Sequence, residues 1–264
     1  MIGAEGRGIA TLIEMAHLTR FDIVIASAGM MRAALNQALH HAAHRQAFGR
    51  RLVEHELMQN VLADIAIECE AATLLAFRLA RAFDGAGHDE REKLLVRLMT
   101  PVAKYWLCKR CPAVAVEAME CIGGNGYVEE APLARLYREA PVNGIWEGSG
   151  NVICLDVLRG IQREPASLEV VLEEISRGDG RAKSAAANIS RLLKDTGSLE
   201  ARARLIVETI AVALQASLVT RYAGNEAADA FCASRLEGDW GRCFGTLPGG
   251  TRCSVILERA RLSG

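Results

Sequence analysis

The chain has 264 residues, of which 50% are hydrophobic, 24% are charged and 5% are aromatic. This apolar fraction excludes intrinsic disorder, and the length is sufficient for a buried core. The 31 basic and 32 acidic residues leave a net charge of -1, so no overall basic field exists to attract nucleic acid. Scarce aromatic residues disfavour a large β-sheet, whereas abundant alanine and leucine favour helices.

The eight cysteines are scattered along the chain, so we expect free thiols in a reducing cytoplasm rather than a disulfide framework. The first residues, Met1-Ile2-Gly3-Ala4-Glu5-Gly6, lack the basic and apolar regions of a signal peptide. The apolar run over residues 23–31 is too short to span a bilayer. The sequence therefore predicts a cytoplasmic protein without a membrane partner.

Three long helices are predicted first, because apolar residues recur at every third or fourth position. The three predicted helices cover Gly8–His44, residues 54–83 and Glu90–Ile122. Pro101 and Pro112 lie inside the third helix. Because proline removes a backbone hydrogen bond and clashes with the preceding turn, we expect a kink or a short break there.

The composition changes after the third helix. A glycine-rich loop is predicted over residues 123–127, a short helix over 132–139 and a second glycine-rich turn over 145–151. Further helices are predicted over residues 151–162, 167–177, 181–194, 199–222, 226–236 and 253–261, with a loop over 238–250. Long helices joined by short loops predict an all-α protein built as an antiparallel bundle.

Glu147 is the best candidate for chemistry, because it lies in a glycine-rich turn at the start of a helix, Ile145-Trp146-Glu147-Gly148-Ser149-Gly150-Asn151. Small neighbours let a ligand approach the carboxylate, and the N–H groups at a helix start favour anions such as a pyrophosphate. A glutamate in an apolar pocket can take a proton from carbon. The alternative is that Glu147 only caps the helix, and the motif alone favours that alternative.

Other motifs also leave alternatives open. Gly123-Gly124-Asn125-Gly126-Tyr127 is either a phosphate-binding loop or a turn that ends a helix, and the strand of a dinucleotide-binding fingerprint is missing. Arg45-Gln46-Ala47-Phe48-Gly49 either holds a phosphate or combines a solvated arginine with a core phenylalanine. Cys108 and Cys111 have the spacing of a zinc or redox pair, but they lie in mid-helix without a second pair. No metal site is predicted.

Five short runs, in this order and with long helices between them, resemble the C-terminal helical domain of the acyl-CoA dehydrogenase family. They are Gly3-Ala4-Glu5-Gly6-Arg7-Gly8, Thr19-Arg20, Arg45-Gln46-Ala47-Phe48-Gly49, Ile122-Gly123-Gly124-Asn125-Gly126-Tyr127 and Ile145-Trp146-Glu147-Gly148-Ser149. Leu136-Tyr137-Arg138-Glu139 and Cys154-Leu155-Asp156-Val157-Leu158-Arg159 are similar to the AidB-like branch, which belongs to the adaptive response to DNA alkylation. The resemblance implies a four-helix bundle over residues 1–162 and a helical extension over residues 163–264.

The resemblance also implies a reaction, the FAD-dependent α,β-dehydrogenation of an acyl-CoA thioester. Glu147 matches the base that removes the α-proton while hydride leaves the β-carbon for the flavin. The residues that match FAD contacts of the family are Arg45, Phe48, Gly123, Gly124, Gly126, Ser149 and Asn151. Since Arg45 and Phe48 match contacts to the FAD of a neighbouring subunit, a homodimer or homotetramer is implied.

The chain also departs from the family. Glu56 and Glu120 stand where many members have glutamine, and a carboxylate repels a nearby pyrophosphate. The family's N-terminal helical domain and middle β-domain have no counterpart in this sequence.

Two other functions remain open, a DNA-associated protein of the alkylation response and an oligomerisation module without activity of its own. Residues 163–264 hold 14 basic and 13 acidic residues, so DNA binding requires that folding sort these charges onto one face. The basic residues that would form such a face are Arg177, Arg181, Lys183, Arg191 and Lys194.

Overall fold

The computed structural model describes residues 3–194, 199–241 and 243–261, and it is helical almost throughout. The helices are α1 Gly8–His44, α2 Glu56–Gly85, α3 Glu90–Ile122, α4 Gly124–Tyr127, α5 Pro132–Glu139, α6 Gly150–Arg163, α7 Pro165–Ser176, α8 Gly180–Lys194, α9 Ala203–Tyr222, α10 Asn225–Phe231 and α11 Cys253–Ala260. Two-residue strands, β1 Gln46–Ala47 and β2 Arg50–Arg51, pair in antiparallel orientation across the turn after α1. Short 3-10 turns cover Leu52–Glu54 and Ala140–Gly144. The all-α prediction is confirmed.

Helices α1, α2, α3 and α6 form the predicted four-helix bundle, with α3 packed against the other three. Ion pairs fix the direction of α2 and α3. Arg78 of α2 bonds to Glu92 near the start of α3. Earlier in α2, Glu68 bonds to Arg110, which lies much later in α3. The two helices therefore run antiparallel, as short connections require.

The structure has neither the short break expected in the third helix nor the loop predicted after it, and a kink at the two prolines stays a prediction. α3 continues through Pro101 and Pro112 without a break, because packing against α1, α2 and α6 outweighs the lost backbone hydrogen bonds. The predicted loop over residues 123–127 contains helix α4, since Gly126 is buried against the end of α3. A side-chain carbon at Gly126 would lie 2.8 Å from the Met119 carbonyl oxygen, so only glycine allows this close return.

Helix α9 is the core of the C-terminal part, packed against α2, α3, α6, α7 and α8. It is long and apolar enough to cross a membrane, but 72% of its most apolar stretch is buried inside the fold, as in a core helix. Its first predicted residues, 199–202, form turns instead. The hydrophobic core continues from the bundle into this part. The division of the chain into two domains at residue 162 remains a prediction. Residues 1–2 of the first predicted domain and residues 262–264 of the second lie outside the described residues.

All eight cysteines are free thiols, and six of them are buried. Burial raises the pKa of Cys111 and Cys121 to about 12, which keeps both as neutral thiols. Among the described residues, no three or more His, Cys, Asp or Glu side chains are grouped so that they could hold a metal ion.

The segment predicted as a loop over residues 238–250 is irregular in its described part, which excludes residue 242. Asp64 of α2 attaches this segment to the bundle. Asp64 is fully buried. Its carboxylate accepts hydrogen bonds from Arg235 Nη2 at 2.6 Å, Trp240 Nε1 at 3.0 Å and the Gly245 backbone N–H at 2.9 Å. One carboxylate of the bundle thus holds both the π-helical turn Cys232–Leu236 and the segment that follows it.

Glu174 of α7 centres a second buried ion cluster that joins the bundle to the extension. It is fully buried and accepts hydrogen bonds from Arg78 Nε at 3.0 Å and Arg221 Nη2 at 2.8 Å. Burial alone would raise the pKa of Glu174, but the hydrogen bonds and charges of the two arginines lower it to about 2. The cluster therefore links α2, α7 and α9.

We expect Glu174→Gln to lower the free energy of unfolding by about 3 kcal/mol, because it leaves the largely buried guanidinium groups of Arg78 and Arg221 without this carboxylate. The Glu174 pKa lies below its usual value of 4.5, so the unfolded state binds the proton more tightly. This contribution is complete above the usual value and is lost as the pH falls towards about 2. Urea unfolding at neutral and acidic pH measures both effects.

The matched control is Glu173→Gln, whose carboxylate is the exposed neighbour on the same helix. Its stability should stay within about 0.5 kcal/mol of the wild type. An unchanged acid dependence in Glu174→Gln would show that this carboxylate does not carry the effect.

Candidate functional site

Two predicted site residues have unusual backbones. In the described part of the chain, Phe48 and Glu147 are the non-glycine residues with positive φ, each at 54°. This conformation costs a residue with a side chain about 1–3 kcal/mol, and such strain concentrates at functional sites. The glycines that follow them, Gly49 and Gly148, also have positive φ. Each residue therefore lies in a tight turn that the surrounding structure must hold.

The turn at Glu147 is held by two cationic side chains. Lys104 Nζ of α3 donates to the carbonyl of Trp146 at 2.9 Å and to that of Gly148 at 2.6 Å. Arg20 Nε of α1 donates to the carbonyl of Glu147 at 3.0 Å. Three consecutive carbonyls thus accept charge-assisted hydrogen bonds, so the strained backbone cannot relax without breaking one of them.

The two cations differ in their surroundings. Lys104 is 1% exposed, and burial lowers the pKa of its ammonium group. Among the described residues, Lys104 forms no ion pair, and its hydrogen bonds go to main-chain carbonyls. Arg20 is paired with Asp156 of α6 at 2.7 Å. Lys104 belongs to none of the motifs recognised in the sequence, although a lone lysine among the buried positions of α3 is a signal that could have found it.

The side chain of Glu147 is half-buried and available for chemistry. Within the described ranges, neither its carboxylate nor its backbone N–H has a hydrogen-bond partner. The alternative that Glu147 caps the next helix is wrong, because α6 begins at Gly150 with Ser149 as N-cap and has no side-chain capping bond. A free carboxylate and a free N–H on one residue can accept a proton and donate a hydrogen bond to the same ligand.

Ser149 and Asn151 lie beside Glu147 at the start of α6, and both are exposed. The Ser149 hydroxyl makes no capping bond. The Asn151 Oδ1 accepts a hydrogen bond from Arg204 Nε of α9 at 2.8 Å. Arg204 was missed by the sequence argument, because nothing in the local sequence shows that α9 starts next to α6.

Arg45 and Phe48 lie at the far end of the bundle from Glu147. α1 is unbroken between Arg20 and Arg45, so a rise of 1.5 Å per residue separates them by about 37 Å. Phe48 is 95% exposed, and Arg45 is exposed as well. The alternative of a core phenylalanine is therefore wrong, since the turn after α1 points its aromatic side chain away from the bundle.

Gly123, Gly124 and Gly126 lie at the same end as Arg45. Helices α1 and α3 run parallel: Arg20 and Lys104 reach the same turn, and later in both helices the Oγ of Ser27 lies 3.6 Å from the Sγ of Cys108. Gly123 is about 28 Å beyond Lys104 along α3. Beside Gly123 and Gly124 lies an exposed groove, which is lined by Val116, Met119, Glu120, Tyr127 and Tyr137.

The structure thus divides the predicted site residues into two groups. Glu147, Ser149 and Asn151 lie together on one turn and helix start. The other group, at the end of the bundle, consists of Arg45, Phe48, Gly123, Gly124 and Gly126. About 30 Å separates the groups within one chain, so they cannot contact the same ring of a bound ligand.

The basic residues singled out in the extension are partly neutralised. Arg177 pairs with Glu174 at 3.2 Å. Arg181 pairs with Asp179 and Asp229, both at 2.8 Å. These pairs reduce the positive potential that a DNA-binding face would need.

Comparison with known proteins gives sequence relatives along most of the chain. The family model for the acyl-CoA dehydrogenase C-terminal domain matches residues 6–162. The putative acyl-CoA dehydrogenase AidB of Escherichia coli strain K12 is 40% identical over 238 residues, which are 90% of this chain and 44% of that protein. Acyl-CoA dehydrogenase family member 11 of Caenorhabditis elegans is 36% identical over 161 residues, which are 60% of this chain and 26% of that protein.

A solved structure leads to the same family as the sequence relatives. The Caenorhabditis elegans protein ACDH-11, crystallised in complex with C11-CoA, superposes with a TM-score of 0.79 at 28% identity, over 89% of this chain and 45% of that chain. The present chain spans less than half the length of these relatives. The match to the Escherichia coli protein is longer than residues 1–162 and so includes part of the extension, as the resemblance to the AidB-like branch predicts. The sequence match over residues 6–162 and the shared helical fold show that this chain belongs to the acyl-CoA dehydrogenase family.

Proposed function

We propose that this chain supplies the base and part of the cofactor site for FAD-dependent α,β-dehydrogenation of an acyl-CoA thioester. The observation that carries the proposal is Glu147, an unpaired, half-buried carboxylate on a strained turn held by two cations. Membership of the family supports oxidoreductase chemistry. The relative crystallised with C11-CoA supports a CoA thioester as the substrate class.

In this proposal Glu147 takes the α-proton of the thioester. FAD, when bound, accepts the hydride that leaves the β-carbon, so two C–H bonds break and one C=C bond forms. The Glu147 backbone N–H has no partner among the described residues, and we expect it to donate to the thioester carbonyl. Negative charge develops on that oxygen as the α-proton leaves, so the donor acts where stabilisation lowers the barrier.

The polar groups beside Glu147 fit a phosphate-bearing cofactor. The first backbone N–H groups of α6 have no acceptor within the helix, and the Ser149 hydroxyl does not cap them. At the far end of the bundle, a side-chain carbon added at Gly123 or Gly124 would meet no other group within 4 Å, so a ligand can approach their backbone closely. Glu120 lies beside these glycines and would repel a pyrophosphate placed directly over it.

We propose that the two groups of site residues serve different FAD molecules in a homodimer or homotetramer. Glu147, Ser149 and Asn151 would serve the FAD of their own subunit. Arg45, Phe48 and the glycines of residues 123–126 would contact the FAD of a neighbouring subunit. The separation of about 30 Å within one chain supports this arrangement, as does the exposure of Phe48.

We expect Glu147→Gln in the full-length protein to lower kcat for acyl-CoA oxidation by roughly 10²–10⁴-fold, because the amide cannot accept the α-proton. The measurement is reduction of an artificial electron acceptor by acyl-CoA, with flavin absorbance recorded to show that FAD stays bound. Glu139→Gln, at an exposed position at the end of α5, is the control and should retain wild-type kcat. Wild-type turnover by Glu147→Gln would refute the assignment of the base.

Mixing two inactive full-length variants tests the shared site. Glu147→Gln lacks the base, and a double variant of Arg45→Ala and Phe48→Ala lacks the contacts to the neighbour's cofactor. The two variants are unfolded and refolded together in equal amounts, so that half of the dimers contain one copy of each. Each mixed dimer has one intact site of its two, so about a quarter of the wild-type activity should return. Activity no greater than the sum of the separately refolded variants would contradict a site built from two subunits.

The alternative functions make different demands on the purified protein. A DNA-associated role requires DNA binding that weakens steeply with salt, because phosphate contacts release counterions. A purely oligomeric role requires stable assembly with no flavin absorbance after addition of FAD. A full-length protein that takes up FAD in equal molar amount excludes the second of these alternatives.

A further inference from the structure

Lys104 is the one described residue that joins both sides of the proposed catalytic turn, because its ammonium group donates to the carbonyls before and after Glu147. We infer that Lys104 is a positioning residue, which fixes the direction of the Glu147 carboxylate without contacting it. This inference rests on the proposed role of Glu147 as the base.

The burial of Lys104 is difficult to explain by stability alone. An ammonium group taken out of water costs several kcal/mol, and neutral carbonyls compensate for this less than a carboxylate does. α3 is lined with apolar side chains at the neighbouring buried positions Val102, Ala103 and Leu107, so an apolar residue would suit this position. What the ammonium provides, and an apolar residue cannot, is two donors aimed at carbonyls on either side of one residue.

The choice of main-chain acceptors matters for the base. If Lys104 formed an ion pair with Glu147, the carboxylate would be occupied and would accept a proton poorly. Instead the positive charge is directed at the carbonyls of Trp146 and Gly148, and the Glu147 carboxylate stays unpaired among the described residues. The cation therefore holds the backbone of the base and leaves its side chain free.

Arg20 does not duplicate this effect. It binds the carbonyl of Glu147 itself from the α1 side, and its guanidinium is also tied to Asp156. With Lys104 removed, Arg20 would still hold the middle carbonyl, but the two neighbouring peptide groups could rotate. The Trp146 carbonyl carbon is one of the four atoms that define the positive φ of Glu147, so rotation of that peptide would change the direction of the carboxylate.

The test is Lys104→Met in the full-length flavoprotein, since methionine has a similar length and no donor. We expect kcat to fall roughly 100-fold, the loss typical of a reacting group displaced by about 1 Å. KM for acyl-CoA and Kd for FAD, the latter measured by quenching of flavin fluorescence, should stay within about threefold of the wild type. Lys93→Met, at an exposed lysine of the same helix, is the control and should leave all three values unchanged.

Three outcomes would overturn the inference. The first is a kcat for Lys104→Met within about threefold of the wild type. The second is a parallel loss of kcat, FAD affinity and Tm, which would indicate a structural role. The third is failure of both Lys104→Met and the milder Lys104→Gln to fold. Glu147→Gln separates this inference from the proposed function: if that variant stays active, the base is misassigned, whereas an inactive Glu147→Gln beside an active Lys104→Met refutes only the positioning role.

Discussion

The candidate site depends on hydrogen bonds from a buried ammonium group to the main chain. Lys104 reaches the turn at Glu147 only because α3 stays helical through Pro101 and carries the lysine to the level of Arg20 in the parallel helix α1. The bundle thus brings two cations to three successive carbonyls. The strain of the turn, about 1–3 kcal/mol, is small beside the cost of leaving these cations unsatisfied in the interior. The fold therefore stabilises a backbone conformation that the local sequence would not adopt alone.

The sequence predicts the long helices well, because each has a continuous apolar repeat that ends at glycine or at a polar turn. It fails where tertiary contacts decide. Four residues after Gly123 have the composition of a loop, yet they form α4 because Gly126 packs on the Met119 backbone. Pro101 predicts an interruption, yet burial on several sides keeps α3 continuous. Local propensity is a weak prior in both cases, and packing determines the result.

In the candidate site, too, the sequence reveals what a local motif contains and misses what tertiary contacts bring together. Glu147 is identifiable from its motif, in which a carboxylate is followed by small residues at the start of a helix. Lys104 bonds to the turn at Glu147, and Arg204 bonds to Asn151, across 42 to 53 residues of sequence, so no local pattern reveals them. The separation between Glu147 and Phe48 is equally invisible in a set of motifs. This separation becomes evident only from the length of the unbroken helix α1.

The burial of α9 has a consequence for how the chain reaches its native state. During synthesis the bundle helices leave the ribosome first, so the surface of α2, α3 and α6 that receives α9 is already available when this apolar segment emerges. Residues 163–264 produced without the bundle would expose that segment to water and to other copies of itself, and we would expect inclusion bodies rather than a folded fragment. Efforts to dissect the extension biochemically should therefore remove buried contacts one by one within the intact chain.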